Sequence, residues 1–226
     1  MKSKVSILFM LAGILFAACL LISNTISSKI MSIGHWTVPV GVLVFPLSYI
    51  INDVIAEVWG YRKARLIIWA GFGVNLLAVL FFSLSIAMPA APFYSDQPAF
   101  ATVLGSTPRI MAASLLAYLV GSFLNAYIMS RFKVLTRGKG FSLRAVVSTV
   151  AGEGADSLIF ITVAFAGIFP SQALVTMIFT QALIKTIYEI VVLPLTVLVV
   201  KKVKKLEEED VFDVSVSYNP FRLNEV

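Results

Sequence analysis

The chain has 226 residues, of which 59% are hydrophobic and 13% charged, with a formal net charge of +6. A soluble domain of this length carries about a quarter charged residues and under half apolar ones, so this excess cannot be hidden in one water-soluble core. A disordered chain, a collagen-like repeat and a nucleic-acid-binding tail protein are excluded, and the solvent of the fold is expected to be lipid.

A membrane helix needs about 20 mostly apolar residues to cross a hydrocarbon core about 30 Å thick. Six stretches qualify in chain order: Val5–Ile26, Val38–Trp59, Leu66–Met88, Ile110–Met129, Ala145–Phe169 and Ala173–Val200. The first is read as a span rather than a cleaved signal, because Leu20-Leu21-Ile22 continue the apolar run past Phe16-Ala17-Ala18-Cys19. Between the third and fourth spans a long loop, Pro89 to Pro108, has room for a short helix through Phe100–Leu104, capped by Ser95 or Asp96. After Lys205 the chain turns acidic through Glu207, Glu208, Glu209 and Asp210, and 206–226 reads as a solvated cytoplasmic tail following a membrane domain over 1–205.

The basic residues test that count. Fourteen of them fall before the first span and after the second, fourth and sixth, while Lys29 and Arg109 alone occupy the other connections. The positive-inside rule then predicts an all-α integral membrane protein of six transmembrane helices with both termini cytoplasmic. Cys19 is the single cysteine and His35 the single histidine, so no disulfide, metal site or cofactor is expected.

Six charges lie inside the spans: Asp53, Glu57, Glu153, Asp156, Lys185 and Glu189. Each is costly in hydrocarbon, about 2.5–3.5 kcal/mol at the membrane centre, so such residues face the bundle interior and mark a site. Counting about 1.5 Å per residue from the flanking bases places Asp53, Glu153, Asp156 and Glu189 roughly 14–18 Å deep and Lys185 roughly 24 Å deep. Four carboxylates from three helices thus share one layer. Glu57 is shallower, at about 8 Å, and is expected to pair with Arg62 or Arg65 at the interface. Lys185 and Glu189 are four residues apart, so they either neutralise each other or line a pathway.

Other polar and aromatic groups join the layer. Asn52 and Ser157 adjoin Asp53 and Asp156, Gln181 lies one turn before Lys185, and Asn24, Asn75 and Asn125 lie in other spans. Gly152 and Gly154 permit close backbone approach or a local break beside the two acids, and Pro46 and Pro194 are candidate kinks. Phe45, Tyr49, Phe160 and Tyr188 are candidates to stack on a planar ligand. Five acids against one base suit a cation, a proton relay or a neutral ligand rich in N–H donors, since a carboxylate accepts two parallel N–H groups from a guanine-like edge. No phosphate loop, zinc motif or nucleophile elbow is present, so no enzymatic activity is expected.

Ser23-Asn24, Phe45-Pro46 followed by Asp53, Glu57 and Gly60, the stretch Arg109 to Asn125, Gly152-Glu153-Gly154-Ala155-Asp156-Ser157, Lys185 with Glu189, and Tyr218-Asn219-Pro220-Phe221 together resemble the queuosine-precursor transporters, also called the vitamin uptake transporter family. The resemblance implies a six-helix fold similar to the substrate-binding components of energy-coupling-factor transporters, in a bacterial inner membrane. It implies uptake of 7-deazaguanine compounds (the 7-cyano or 7-aminomethyl base, queuine or queuosine). Asp53, Glu153 and Asp156 would hold the base edge or amine, with Lys185 and Glu189 shaping the pocket or gate. The candidate substrate contacts are completed by Asn24, Phe45, Asn52, Ser157 and Gln181. Alternating access, with proton coupling as one option, is expected. A vitamin-binding subunit that needs a separate ATPase is the alternative within transport, and an intramembrane aspartyl protease the alternative outside it; for the latter, Ala155 spoils the Gly-x-Gly-Asp pattern.

Overall fold

The computed structural model describes residues 6–33, 36–105 and 108–222. The lone His35, with Lys2 and Lys4, lies outside the described residues. The elements run α1 (Ile7–Ile26), β1 (Ile30–Ile33), β2 (Trp36–Pro39), α2 (Phe45–Ala87), α3 (Gln97–Leu104), α4 (Pro108–Leu135), α5 (Phe141–Phe165) and α6 (Ser171–Glu207). Five of these helices, all but α3, are long and apolar enough to cross a membrane. Their outer faces carry exposed side chains such as Leu80, Phe81, Phe179, Val191 and Leu198. In water such faces would mark an association surface; in lipid they are the expected outside of the bundle.

Two departures from the sequence reading concern its second span. Its expected start, Val38, belongs to β2, which pairs antiparallel with β1. The all-helical expectation therefore needs a two-stranded hairpin added between α1 and α2. Val, Ile and Thr suit this short β pairing, whereas hydropathy alone merged part of it into a helix. Pro46 sits in the first turn of α2, where its missing N–H is harmless, and so it starts the helix rather than kinking it.

The second departure is larger. The connection expected after Trp59 is shorter than the sequence suggests: within α2 two helical parts meet at one non-helical residue, Gly60, whose φ of 81° and ψ of 174° are essentially reserved for glycine. At about 1.5 Å per residue the helical parts on either side of Gly60, 45–59 and 61–87, are about 22 and 40 Å long.

A broken helix exposes carbonyls on one side and amides on the other. Here three of these groups find partners from elsewhere in the chain. Lys133 Nζ donates to Glu57 O. Val211 N donates to Val58 O at 3.1 Å. Tyr61 N donates to Asp213 Oδ2 at 2.8 Å, and Ser130 Oγ donates to the same oxygen at 2.6 Å.

Residues 208–222 are thus not a solvated appendage. They pack along the second part of α2. Arg65 Nη1 donates to Ser217 O and Asn219 O, at 3.2 and 2.8 Å, and Trp69 Nε1 donates to Pro220 O at 2.8 Å. The Tyr218 ring stands edge-on to Tyr61 and Tyr127, each at 4.9 Å. A Cβ at Gly60 would meet Val211 Cγ1 at 2.8 Å. Break and tail therefore fit as one unit.

The short helix in the long loop forms close to where the sequence places it, with Asp96 at its N-cap but no side-chain capping bond. Arg109, at the start of α4, donates to Val163 O and Ala166 O at the end of α5, both at 2.6 Å. A guanidinium on the last carbonyls of a helix is favourable through both hydrogen bonding and the helix dipole.

The helix break generates a prediction for thermal unfolding of the purified protein in detergent. Gly60→Ala should cost about 1–3 kcal/mol from the disallowed backbone alone. Asp213→Ala should cost a similar amount by stripping the Tyr61 amide of its acceptor. Melting temperatures unchanged in both variants would show that the tail does not hold the break.

Candidate functional site

The residues 45–59 of α2 form the centre of the bundle, with Tyr49, Asn52, Asp53 and Glu57 all buried. Neighbouring helices approach closely because of two glycines. A Cβ on Gly121 would meet Gly152 O at 2.8 Å, and one on Gly152 would meet Gly121 O at 2.9 Å. Gly152 is thus where α5 touches α4 backbone to backbone. Gly154 has open space beside it and α5 is unbroken, so the expected local break does not occur.

The buried charges sort into three groups along this core. In the first, Glu57 is held by Arg144 in a two-pronged contact, Nη1 to Oε2 at 2.6 Å and Nη2 to Oε1 at 3.1 Å. Lys204 Nζ adds a bond to Oε1 at 2.7 Å. Lys133 bridges to Asp210, which also pairs with Lys204 at 2.7 Å. The interface role expected for Glu57 has different partners from Arg62 or Arg65, because Arg65 turns to the tail. Partial burial alone would raise the Asp210 carboxyl, but Lys133 and Lys204 hold it below its usual range.

The second group is a triad. Lys185 Nζ lies 2.7 Å from Glu153 Oε2 and 2.6 Å from Asp156 Oδ2. The Phe45 ring covers the ammonium, 4.1 Å from Nζ to the ring centre. Lys185 therefore does not neutralise Glu189 on its own helix; it reaches across to α5. Glu153 Oε1, Ser157 Oγ and Tyr49 OH are buried without a hydrogen-bond partner among the described residues. Phe45 and Tyr49 stack at 5.7 Å.

In the third group the carboxyls of Asp53 and Glu189 face each other within hydrogen-bonding reach, with Asn125 and Thr149 beside them. Ser148 Oγ stands 3.5 Å from Asp53 Oδ1. Asn52 Nδ2 donates to Asn125 Oδ1 at 2.8 Å and Ser122 O at 3.2 Å, which fixes the amides alongside.

Of the expected site residues, Lys185, Glu153, Asp156 and Phe45 meet in the triad and Asp53 and Glu189 in the acid pair, while Asn52 and Ser157 are buried next to them in sequence. Gln181 is half-buried one turn from Lys185. Asn24 stands apart: its Nδ2 donates to Asn75 Oδ1 at 2.7 Å, tying α1 to the second part of α2. Phe160 packs on Phe165 rather than on Phe45. Sequence reasoning missed Ser148 and Thr149, whose signal was a polar pair one turn before Glu153 on the same helix. A groove of about 480 Å³ between α2, α4 and the tail is lined by Tyr61, Trp69, Phe123, Tyr127, Tyr218 and Phe221, and contains none of the acids.

One lysine balancing two buried acids makes an asymmetric prediction. Lys185→Met should destabilise the protein by about 3–5 kcal/mol, the usual cost of stranding a buried charge. Glu153→Gln should cost far less, because Asp156 still pairs with the lysine. Equal melting temperatures for the two variants would contradict the shared-cation geometry.

Over residues 39–199 the sequence matches the family described as "Putative vitamin uptake transporter". A protein of Bacillus subtilis (strain 168) named "Probable queuosine precursor transporter" is 29% identical over 169 residues, 74% of this chain and 73% of the relative. No solved structure matches.

Proposed function

Since the chain belongs to the vitamin uptake transporter family, we propose that this multi-pass membrane protein imports queuosine precursors, 7-deazaguanine bases or their nucleoside, by alternating access. The name of the Bacillus subtilis relative supports the substrate class. The observation that carries the reading is the triad, a lysine shared between Glu153 and Asp156 beneath the Phe45 ring.

The chemistry follows from what each side offers. A 7-deazaguanine presents an amino group and a ring N–H side by side, which match the two oxygens of one carboxylate. Asp156, with Glu153 beside it, takes that edge in exchange for Lys185. An aminomethyl substituent supplies a cation of its own for the second acid. Phe45 and Tyr49 stack on the ring plane, while the Tyr49 and Ser157 hydroxyls serve the base carbonyl. Asp53, Asn52, Glu189 and Gln181 complete the layer beside the substrate rather than against its donor edge.

The chain is read as crossing six times with both termini in the cytoplasm, α2 passing twice through its break at Gly60. In support, the break, the α4–α5 connection and the end of α6 meet at one end of the bundle through Glu57, Arg144, Lys133 and Lys204. That is the end rich in bases. Odd crossings would scatter these groups over both faces. Among the alternatives, a protease dyad finds no support in the geometry: Asp53 faces Glu189, and Asp156 is paired with Lys185.

The test is uptake of labelled 7-aminomethyl- and 7-cyano-7-deazaguanine by precursor-auxotrophic cells that lack any energy-coupling ATPase module, with vitamins and deazaguanines as competitors. Asp156→Asn should reduce uptake about 10- to 100-fold, the loss of one charge-assisted contact of about 1.5–3 kcal/mol. Wild-type transport by both Asp156→Asn and Glu153→Gln sinks the site. Uptake that appears only with an added ATPase module, or that a vitamin blocks, favours the vitamin-binding subunit instead.

A further inference from the structure

The triad accounts for Lys185, Glu153 and Asp156, and the Glu57 group has its own bases. Two acids remain, and they face each other. Asp53 is fully buried and Glu189 is 3% exposed. Asp53 Oδ2 and Glu189 Oε2 accept no hydrogen bond among the described residues, and neither residue takes part in an ion pair there. The groups facing the pair are all accounted for by helix. On α2, Glu57 lies one turn away and is engaged by Arg144 and Lys204. On α4 stands the Asn125 amide, and on α5 stand Ser148, Thr149 and Glu153. On α6, Lys185 is held by the triad. Among the described residues no positive charge pairs with either acid.

Two carboxylates in contact, away from water and without a cation, cannot both stay ionised. A proton between them removes one charge and supplies the missing hydrogen bond. We infer that Asp53 and Glu189 form a proton-carrying dyad, one shared proton joining α2 to α6, and that this proton is the driving ion of transport. The inference rests on the proposed carrier function and extends it to the coupling ion.

The geometry gives the dyad a mechanical consequence. Protonated, it is a hydrogen bond that holds α2 against α6 beside the triad. Ionised, it is a pair of like charges that push those helices apart. A carrier loaded from an acidic exterior therefore closes with its proton in place. It opens where the proton is lost, toward the less acidic cytoplasm. The atoms balance simply: one O–H bond breaks on the dyad, and water at the cytoplasmic mouth accepts the proton.

Two measurements test this. In infrared difference spectra of the purified wild-type protein, one protonated-carboxyl C=O band should persist to neutral pH. Glu189→Gln and Asp53→Asn should each shift that same band, because the acid left behind stays buried without a cation but its proton then faces an amide instead of a carboxylate; Glu189→Asp should leave the band close to its wild-type position. A wild-type spectrum without such a band, or a band that stays unshifted in either amide variant, overturns the dyad.

In proteoliposomes, an inward proton gradient should raise wild-type accumulation of labelled 7-aminomethyl-7-deazaguanine at least about tenfold over equilibration, and a protonophore should erase the gain. Accumulation that follows a sodium gradient instead overturns the coupling role. Failure of the carrier reading looks different: the wild type then exchanges no deazaguanine across the membrane at all, whatever the carboxyl band does.

Discussion

The break in α2 is the constraint from which much else follows. Gly60 turns the chain where no side chain could, and the turn strips hydrogen bonds from Glu57, Val58 and Tyr61 in a place sheltered from water. Unmade backbone bonds of that kind cost about 1–3 kcal/mol each, so the break persists only with partners supplied. The partners come from far along the chain. Lys133 arrives from α4, and Val211 and Asp213 arrive from the segment after α6. A single backbone conformation thus explains why the C-terminal segment is docked and why Lys133 is buried.

The same principle of answered charge runs along the bundle axis. Near the break, Glu57 is surrounded by Arg144 and Lys204, and the group is closed. Further in, Asp53 and Glu189 have no basic partner among the described residues. Next to them, Glu153 and Asp156 divide one lysine. Charge compensation is therefore complete at the basic end and incomplete in both inner groups. Stability favours the first arrangement; the other two are costly in a low-dielectric setting. The aromatic cover over Lys185 offsets part of that cost, since a cation against a ring face is an attractive contact.

Much of the site was legible in the chain because hydrocarbon penalises charge so strongly. Asp53, Glu153, Asp156 and Glu189 were each conspicuous in an apolar run, and counting residues from the flanking bases put them at similar depth. Pairing was not legible. Lys185 and Glu189 are neighbours on one helix face, yet Lys185 turns to α5. Glu57 has three bases nearby in sequence, yet its partners are Arg144 and Lys204, 87 and 147 residues away. Ser148 and Thr149 escaped notice because a hydroxyl carries little penalty in a helix and leaves no gap in the hydropathy pattern.

Composition and hydropathy by themselves determined that this is a multi-pass membrane protein with an acidic interior. Both follow from one-dimensional sums: apolar length against bilayer thickness, and charge against depth. The resemblance of its motifs to the queuosine-precursor transporters also lay in the sequence and agrees with the family match. Tertiary structure alone decided that α2 continues through Gly60, that the tail seals the break, and that the buried charges separate into a closed cluster, a shared-lysine triad and an acid pair. Those outcomes depend on which side chains meet across helices, and contacts between residues 29 to 157 positions apart are set by packing rather than by any local pattern.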